Sequence, residues 1–388
     1  MSLRARLRPS TCPSTRPSRT SPRRVRPARG LAAAATLALL ASGCSLVGSE
    51  SDEATDASGA SATADSSGSA AGGTVTLVTH DSFYLPKKLI KQFESETGYT
   101  LELRSVGDAG SLTSQLVLTQ DDPIGDVAFG VDNTFGSRAL DNDVFAPADV
   151  DLPDGVAEHA LPGDDDGTMV AVDDASVCVN VDTAWFDEQG IEPPTTLDDL
   201  TDPTYEDLFV TSGATTSSPG FAFLLTTIAA YGDDWQSYWS DLLDNGAKVD
   251  RGWEDAYQVD FTAGGGNGDR PIVLSYDSSP AFTTDGEGGT TTAALLDTCF
   301  QQTEYAGVLT NAENPEGAQA VLTWLTSDAV QAALPESMYV FPVVEGTALP
   351  SDWAQFAVQP DDPWTVDPAD VAENRDTWLA DWQDVVSR

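Results

Sequence analysis

The chain has 388 residues, 62 of them Asp or Glu against 19 Lys or Arg, giving a formal net charge of −43 at pH 7. That length accommodates two domains with substantial cores, and the acidic excess argues against nucleic acid as a partner. The charge is unevenly spread: residues 1–43 hold nine Arg and no acid, which leaves 10 basic residues against all 62 acidic ones beyond them, a net of −52.

The basic start leads into GLAAAATLALLASGC at 30–44, an apolar run of signal-peptide length ending in small residues. It is too short for a stable membrane span. LLASGC is similar to a bacterial lipobox, with Ala41 where Leu is more usual. It predicts a lipoprotein signal peptide over 1–43 and Cys44 as the lipid-modified first residue of the mature chain, while Arg23-Arg24 fits twin-arginine export. Residues 45–73 are nearly free of large apolar side chains and cannot build a core, so 44–73 is expected to be a lipid-anchored flexible linker. The expected location is the outer face of the cytoplasmic membrane.

The folded part opens with the β-branched strand TVTLVT, a helix with Leu89, Ile90 and Phe93 on one face, the strand YTLELRSV, the helix GSLTSQLVLTQ and the strand GDVAFGVD. This β-α-β-α-β alternation predicts a parallel sheet with helices on its faces. Strand-like residues 168–181 follow with no long helix between, as a crossing into a second lobe would. FAFLLTTIAAYG, DWQSYWSDLLDNG and WEDAYQVDF read as helices and PIVLSY as a strand; TEYAGVLT at 303–310 precedes two final helices. The expected architecture is α/β with two lobes and two interlobe crossings, 74–172 and 306–388 forming one lobe and 173–305 the other. Ligands collect at the carboxyl ends of strands in such sheets.

Several polar constellations sit at those ends. Ser217-Ser218-Pro219-Gly220-Phe221 is echoed by Ser278-Ser279-Pro280-Ala281-Phe282. In each, a Ser before Pro fits an N-cap with proline at the first helical position, and two such helix starts offer unpaired N–H groups to an oxygen-bearing ligand. Trp253 and Tyr276 are aromatics flanked by polar residues, and with Asp277 beside Tyr276 they suit a flat organic cation. Asp81 and Ser82 close the first strand, Asp108 the second, and Asp132 with Asn133 the third. His80 and His159 are the only histidines, and no HExxH, GxSxG, phosphate loop or calcium-loop spacing occurs, so neither a catalytic nor a metal centre is indicated. Once Cys12 leaves with the signal and Cys44 takes lipid, Cys178 and Cys299 remain as an even pair in an exported domain, where a disulfide is expected.

Taken in order, THDSF, GDVAFGVDN, SSPGFAFLL, RGWEDAY, VLSYDSSPAF, MYVFPVV and WLADWQDVVSR resemble the motifs of the periplasmic thiamine-binding family that feeds bacterial ABC importers, over roughly 74–388. The resemblance implies a type II two-lobe solute-binding fold, no cofactor, and capture of thiamine or its phosphates for delivery to a permease driven by a cytoplasmic ATPase. The expected form is a monomer. Carried over by position, the family's ligand residues fall on Asp108, Ser217, Ser218, Trp253, Tyr276, Asp277, Ser278 and Ser279, with His80 and Asp81 beside them. His80 stands where the family often has Tyr, and Ala109 where it often has Gly. Alternatives are a binder of another cation, ferric ion or polyamine, and a thiaminase-like enzyme, which would need a nucleophilic Cys with a Glu in the cleft.

Overall fold

The computed structural model describes residues 72–388. The expected signal peptide, the Arg23-Arg24 pair, the lipidated Cys44 and nearly all of the linker lie outside the described residues. Among the described residues no helix is long and apolar enough to cross a membrane.

The chain begins β1 (Thr74–Thr79), α1 (Lys87–Thr97), β2 (Thr100–Ser105), α2 (Ala109–Leu118) and β3 (Val127–Asp132), followed by α3 (Gly136–Asp141) and β4 (Phe145–Ala146). The strands β2, β1 and β3 are parallel neighbours, as the alternation predicts. Helix α1 buries Leu89 and Phe93 and stops at Gly98, whose φ of 79° provides the left-handed cap that glycine adopts without strain.

Strand β5 (Val170–Asp182) is buried along all 13 residues. After it come α4 (Thr183–Gln189), β6 (Phe209–Ser212), α5 (Ser218–Tyr231), α6 (Trp235–Asp244), β7 (Lys248–Asp250), β8 (Ile272–Tyr276) and β9 (Thr292–Ala294). Strand β10 (Phe300–Leu309) then returns antiparallel between β3 and β5. The chain closes with α7 (Pro315–Leu325), α8 (Asp328–Gln331), α9 (Leu334–Met338), β11 (Phe341–Pro342), α10 (Ser351–Phe356) and α11 (Pro368–Val386).

The principal strand order is β2-β1-β3-β10-β5-β8-β6-β7. Both ends are parallel, β6 pairing β7 and β8 in that sense, and the antiparallel strands β10 and β5 join them. These are the two interlobe crossings of the type II two-lobe fold. Helix α5 buries every residue from Ser218 to Thr227, because it is covered on all sides rather than along one stripe. Its start docks hard against the end of β6: a Cβ on Gly220 would fall 2.5 Å from the Ser212 carbonyl oxygen.

Two sequence expectations need adjustment, and the C-terminal helix has contacts beyond those expected. WEDAYQVDF forms only a π-helical turn over Asp255–Asp260. Ser279-Pro280 opens a three-residue 3-10 turn, too short to present a second helix N-terminus. The C-terminal stretch, assigned with 306–388 to the first lobe, ends in a helix that also serves the second: Arg375 donates to Ser137 Oγ (3.2 Å) on α3, whereas Trp382 packs edge-on to Trp239 of α6 (5.6 Å).

Candidate functional site

At the carboxyl ends of β1, β2 and β8 and against the middle of β10 lies a cavity of about 330 Å³, within the size range of small-molecule sites. Of the residues singled out from sequence, His80, Ser82, Asp108, Ser218, Trp253 and Tyr276 line it. Asp81, Ser217, Asp277, Ser278 and Ser279 do not.

Asp108 caps α2 and reaches across the cleft. Its Oδ1 accepts from Ala109 N (2.7 Å) and Ser218 N (3.3 Å), and its Oδ2 from Trp253 N (3.0 Å). One carboxylate of the first lobe thus meets two backbone donors of the second. The α5 N-cap is Ser217 rather than Ser218, and its hydroxyl is spent on Ser212 Oγ (2.8 Å). Ser218 Oγ donates to Asp132, whose carboxyl burial pushes up to about 6.

The aromatic wall is held from behind. Trp253 stacks one face on Tyr257 (5.0 Å between centroids, 15° between planes), so only its other face is free for a ligand. Its indole N–H donates to Ser275 Oγ (3.0 Å), which shares a hydrogen bond with Ser279 Oγ (2.8 Å). Ser279 therefore orients the tryptophan and lies behind it. Ser278 Oγ donates to the Tyr339 carbonyl, pinning a residue whose φ of 63° is uncommon outside glycine. Tyr339 itself lines the cavity, 6.2 Å from Trp253 between ring centroids.

Asp277 departs most from expectation. Its residue is fully buried and absent from the cavity wall, and both carboxylate oxygens lack a hydrogen-bond partner. Burial pushes its carboxyl up to about 8, so at neutral pH it is predominantly protonated rather than the counter-charge of a cation. Alternation along the strand end places Tyr276 toward the ligand and its neighbour away from it.

Charge in the cavity comes from elsewhere. Glu304 on β10, Glu254 and Glu336 line it together with Asp108, and no Lys or Arg is among the lining residues. Sequence reasoning missed Glu304 and Tyr339. An acid inside the strand-like run TEYAGVL was the available signal for the first, and the MYVFPVV motif contained the second. His80 Nε2 stands 3.4 Å from Glu304 Oε1, at ion-pair range but without well-aligned hydrogen-bond geometry. Burial alone lowers the imidazole pKa, but Glu304, with Asp108 and Asp81 adding, outweighs it and the net shift is upward. The histidine fits only because residue 130 is glycine: at its φ of 103°, a Cβ would lie 2.1 Å from His80 Cδ2.

Cys178 and Cys299 are joined by a disulfide with Cα atoms 4.1 Å apart, and both are fully buried. Among the described residues no group of three or more His, Cys, Asp or Glu side chains is placed to hold a metal.

The model of the bacterial extracellular solute-binding protein family matches residues 122–366. The chain belongs to that family. It is 28% identical over 325 residues to the thiamine-binding periplasmic protein of Escherichia coli (strain K12), covering 81% of this chain and 94% of that one. A solved periplasmic thiamin binding protein superposes with a TM-score of 0.72 at 29% identity, covering 81% of this chain and 96% of the other. Iron-bound HitA from Pseudomonas aeruginosa shares the fold, with a TM-score of 0.61 at 19% identity over 80% of this chain and 99% of its own.

Proposed function

We propose that this solute-binding protein captures thiamine and its phosphates outside the cytoplasmic membrane and delivers them to an ABC importer, a permease driven by a cytoplasmic ATPase. The observation that carries the reading is the cavity's composition: aromatic rings from Trp253, Tyr276 and Tyr339, four carboxylates, and no basic side chain but His80. A flat permanent cation suits such walls, because a stacked cation gains ~0.5–2 kcal/mol per aromatic face and the carboxylates supply the opposing charge. The two relatives named for thiamine, each matching over four-fifths of this chain, support the choice of cation.

The iron alternative would need a cluster of hard ligands, and the enzyme alternative a thiol in the cleft. The two described cysteines are bonded to each other away from the cavity, which favours binding over catalysis. Anchoring through Cys44 accords with the LLASGC sequence and an acidic domain on a tether.

Calorimetry of the purified domain with thiamine, its monophosphate and its diphosphate tests the ligand, with ferric citrate and spermidine as competitors. Saturable thiamine binding at one site per monomer is expected; binding of spermidine or iron without thiamine would overturn the reading. Intact mass of the membrane-bound form should carry a diacylglyceryl adduct at Cys44, and an unmodified Cys44 in the native host would exclude the anchor.

A further inference from the structure

Strand pairing places Glu304 opposite Asp132 on one side and opposite Asp173 on the other, so three carboxylates form a row across β3, β10 and β5. All three residues are buried. Like charges directly opposite in a sheet are destabilising, and burial raises the cost of each. A row of this kind persists where one of its members has a use beyond packing.

The members have different surroundings. Asp132 is taken up by Ser218 Oγ, Thr134 Oγ1 (2.8 Å) and the backbone N–H of Phe135 (3.1 Å). Asp173 is pushed well above the usual carboxylate range by burial and by the neighbouring charge of Glu304, and its Oδ2 has no hydrogen-bond partner. Only Glu304 faces the cavity. The ladder breaks register at Glu304/Tyr305 against β5 and at Tyr305/Ala306 against β3, and such irregularities re-aim side chains beside functional sites.

We propose that Glu304 is the specificity-determining counter-charge of the site, its carboxylate set beside His80 (3.4 Å) and across the strand ladder from Asp173, and presented from the crossing strand to the positive ring of the bound ligand. This rests on the reading of the ligand as thiamine. It gives Glu304 the role that sequence position had suggested for Asp277. Because β10 belongs to neither lobe alone, a ligand engaging Glu304 is anchored at the hinge while Trp253 and Tyr276 reach it from the second lobe.

The test is calorimetry on wild type, Glu304→Gln and a control that removes an exposed charge, Asp269→Asn, with two ligands: thiamine and an analogue whose thiazolium is replaced by a neutral ring. Glu304→Gln should weaken thiamine roughly ten- to a hundredfold, the value of a hydrogen bond or close contact to a charged group, and the neutral analogue by less than about threefold. Asp269→Asn should change neither. Thermal unfolding reads the structural cost separately: Glu304→Gln relieves repulsion in the row but loses the contact with His80, so the ligand role is read from the difference between the two ligands rather than from the melting temperature. Should Glu304→Gln not fold, Glu304→Asp takes its place: a loss confined to the charged ligand supports the proposal, and equal losses for both ligands overturn it. Wild-type thiamine binding with Glu304→Gln unimpaired overturns this inference alone. Absence of thiamine binding by wild type overturns the thiamine reading and this inference with it.

Discussion

Replacing Asp277 by Asn separates fold from ligand binding. The carboxyl is buried with no hydrogen-bond partner, and its pKa rises from 3.8 to about 8 because burial disfavours the charged form. In the unfolded chain the group ionises near 3.8, so between that pH and about 8 the native state binds the extra proton. Where the native state binds more protons, stability falls as pH rises. At ~1.36 kcal/mol per pKa unit, the loss on going from acid to pH 7 is on the order of 4 kcal/mol. Asparagine has nearly the same shape and no titration, so the variant escapes this slope. The melting temperature of Asp277→Asn minus that of wild type should therefore increase from pH 5 to pH 8, by roughly 5 °C or more at about 2 °C per kcal/mol for a domain of this size. Other titrations are common to both proteins and cancel in the difference. Differential scanning fluorimetry across that range reads it directly. Thiamine affinity at pH 7 should stay within about threefold, since the side chain does not border the cavity. Parallel melting curves at every pH, or a tenfold loss of affinity, would refute the reasoning and return Asp277 to the ligand.

Removing the disulfide with Cys178→Ala and Cys299→Ala releases a loop of 121 residues, for which the chain-entropy model gives ~4–5 kcal/mol at most; a lower melting temperature is expected, and two free thiols in a non-reducing peptide map would contradict the bond. Trp253→Ala should weaken thiamine about tenfold or more through lost stacking, with a smaller loss for a neutral-ring analogue; unchanged titration calorimetry would place the ligand elsewhere. For His80, whose folded pKa is raised above 6.5, the stability gained from Glu304, Asp108 and Asp81 is fully present below pH 6.5 and lost as pH rises through the folded value. The melting advantage of wild type over His80→Gln should therefore shrink with rising pH, and an advantage that grows would count against the pairing. Asp108→Ala removes the acceptor of Ser218 N and Trp253 N, so small-angle scattering of the unliganded protein should show a larger radius of gyration; an unchanged radius would show that the carboxylate does not hold the lobes.

What the sequence made legible follows from periodicity. The β1-α1-β2-α2-β3 alternation is set by local patterns, and so are α5, α6, α7 and α11, whose boundaries fall within a few residues of the apolar runs. Trp253 and Tyr276 were recognisable as aromatics flanked by polar residues, whereas Asp108, a residue type common at helix starts, was placed in the site by the family resemblance. The role of Asp277 was not recognisable, since a side chain one position along a strand end points to the opposite side, and sequence adjacency to Tyr276 conceals that. The helix start expected at Ser278-Ser279 differs for a related reason. A hydroxyl before proline predicts a cap, but the turn that follows is only three residues long, leaving both hydroxyls to be claimed by Tyr339 and Ser275 through contacts that no local pattern specifies. Glu304 required knowledge of which strands neighbour β10, a long-range fact.

The stretch VLSYDSSPAF shows how one strand end shapes a cavity that only one of its residues lines. Tyr276 reaches the cavity. Ser279 fixes Trp253 through Ser275, and Ser278 holds Tyr339 in a backbone conformation that a free loop would seldom adopt. Those two hydroxyls therefore help to arrange two of the aromatic residues that line the cavity, Trp253 and Tyr339. Side chains ordered in the empty state do not have to be ordered on binding, where each rotamer-rich group immobilised costs ~0.5–1.5 kcal/mol. Two serines outside the cavity lining thus help to set the positions of rings inside it. Conservative Ser→Ala changes at 278 and 279 act through the aromatic rings, by loosening their positions, and the charge of the ligand is met from the opposite direction by an acid on the hinge strand.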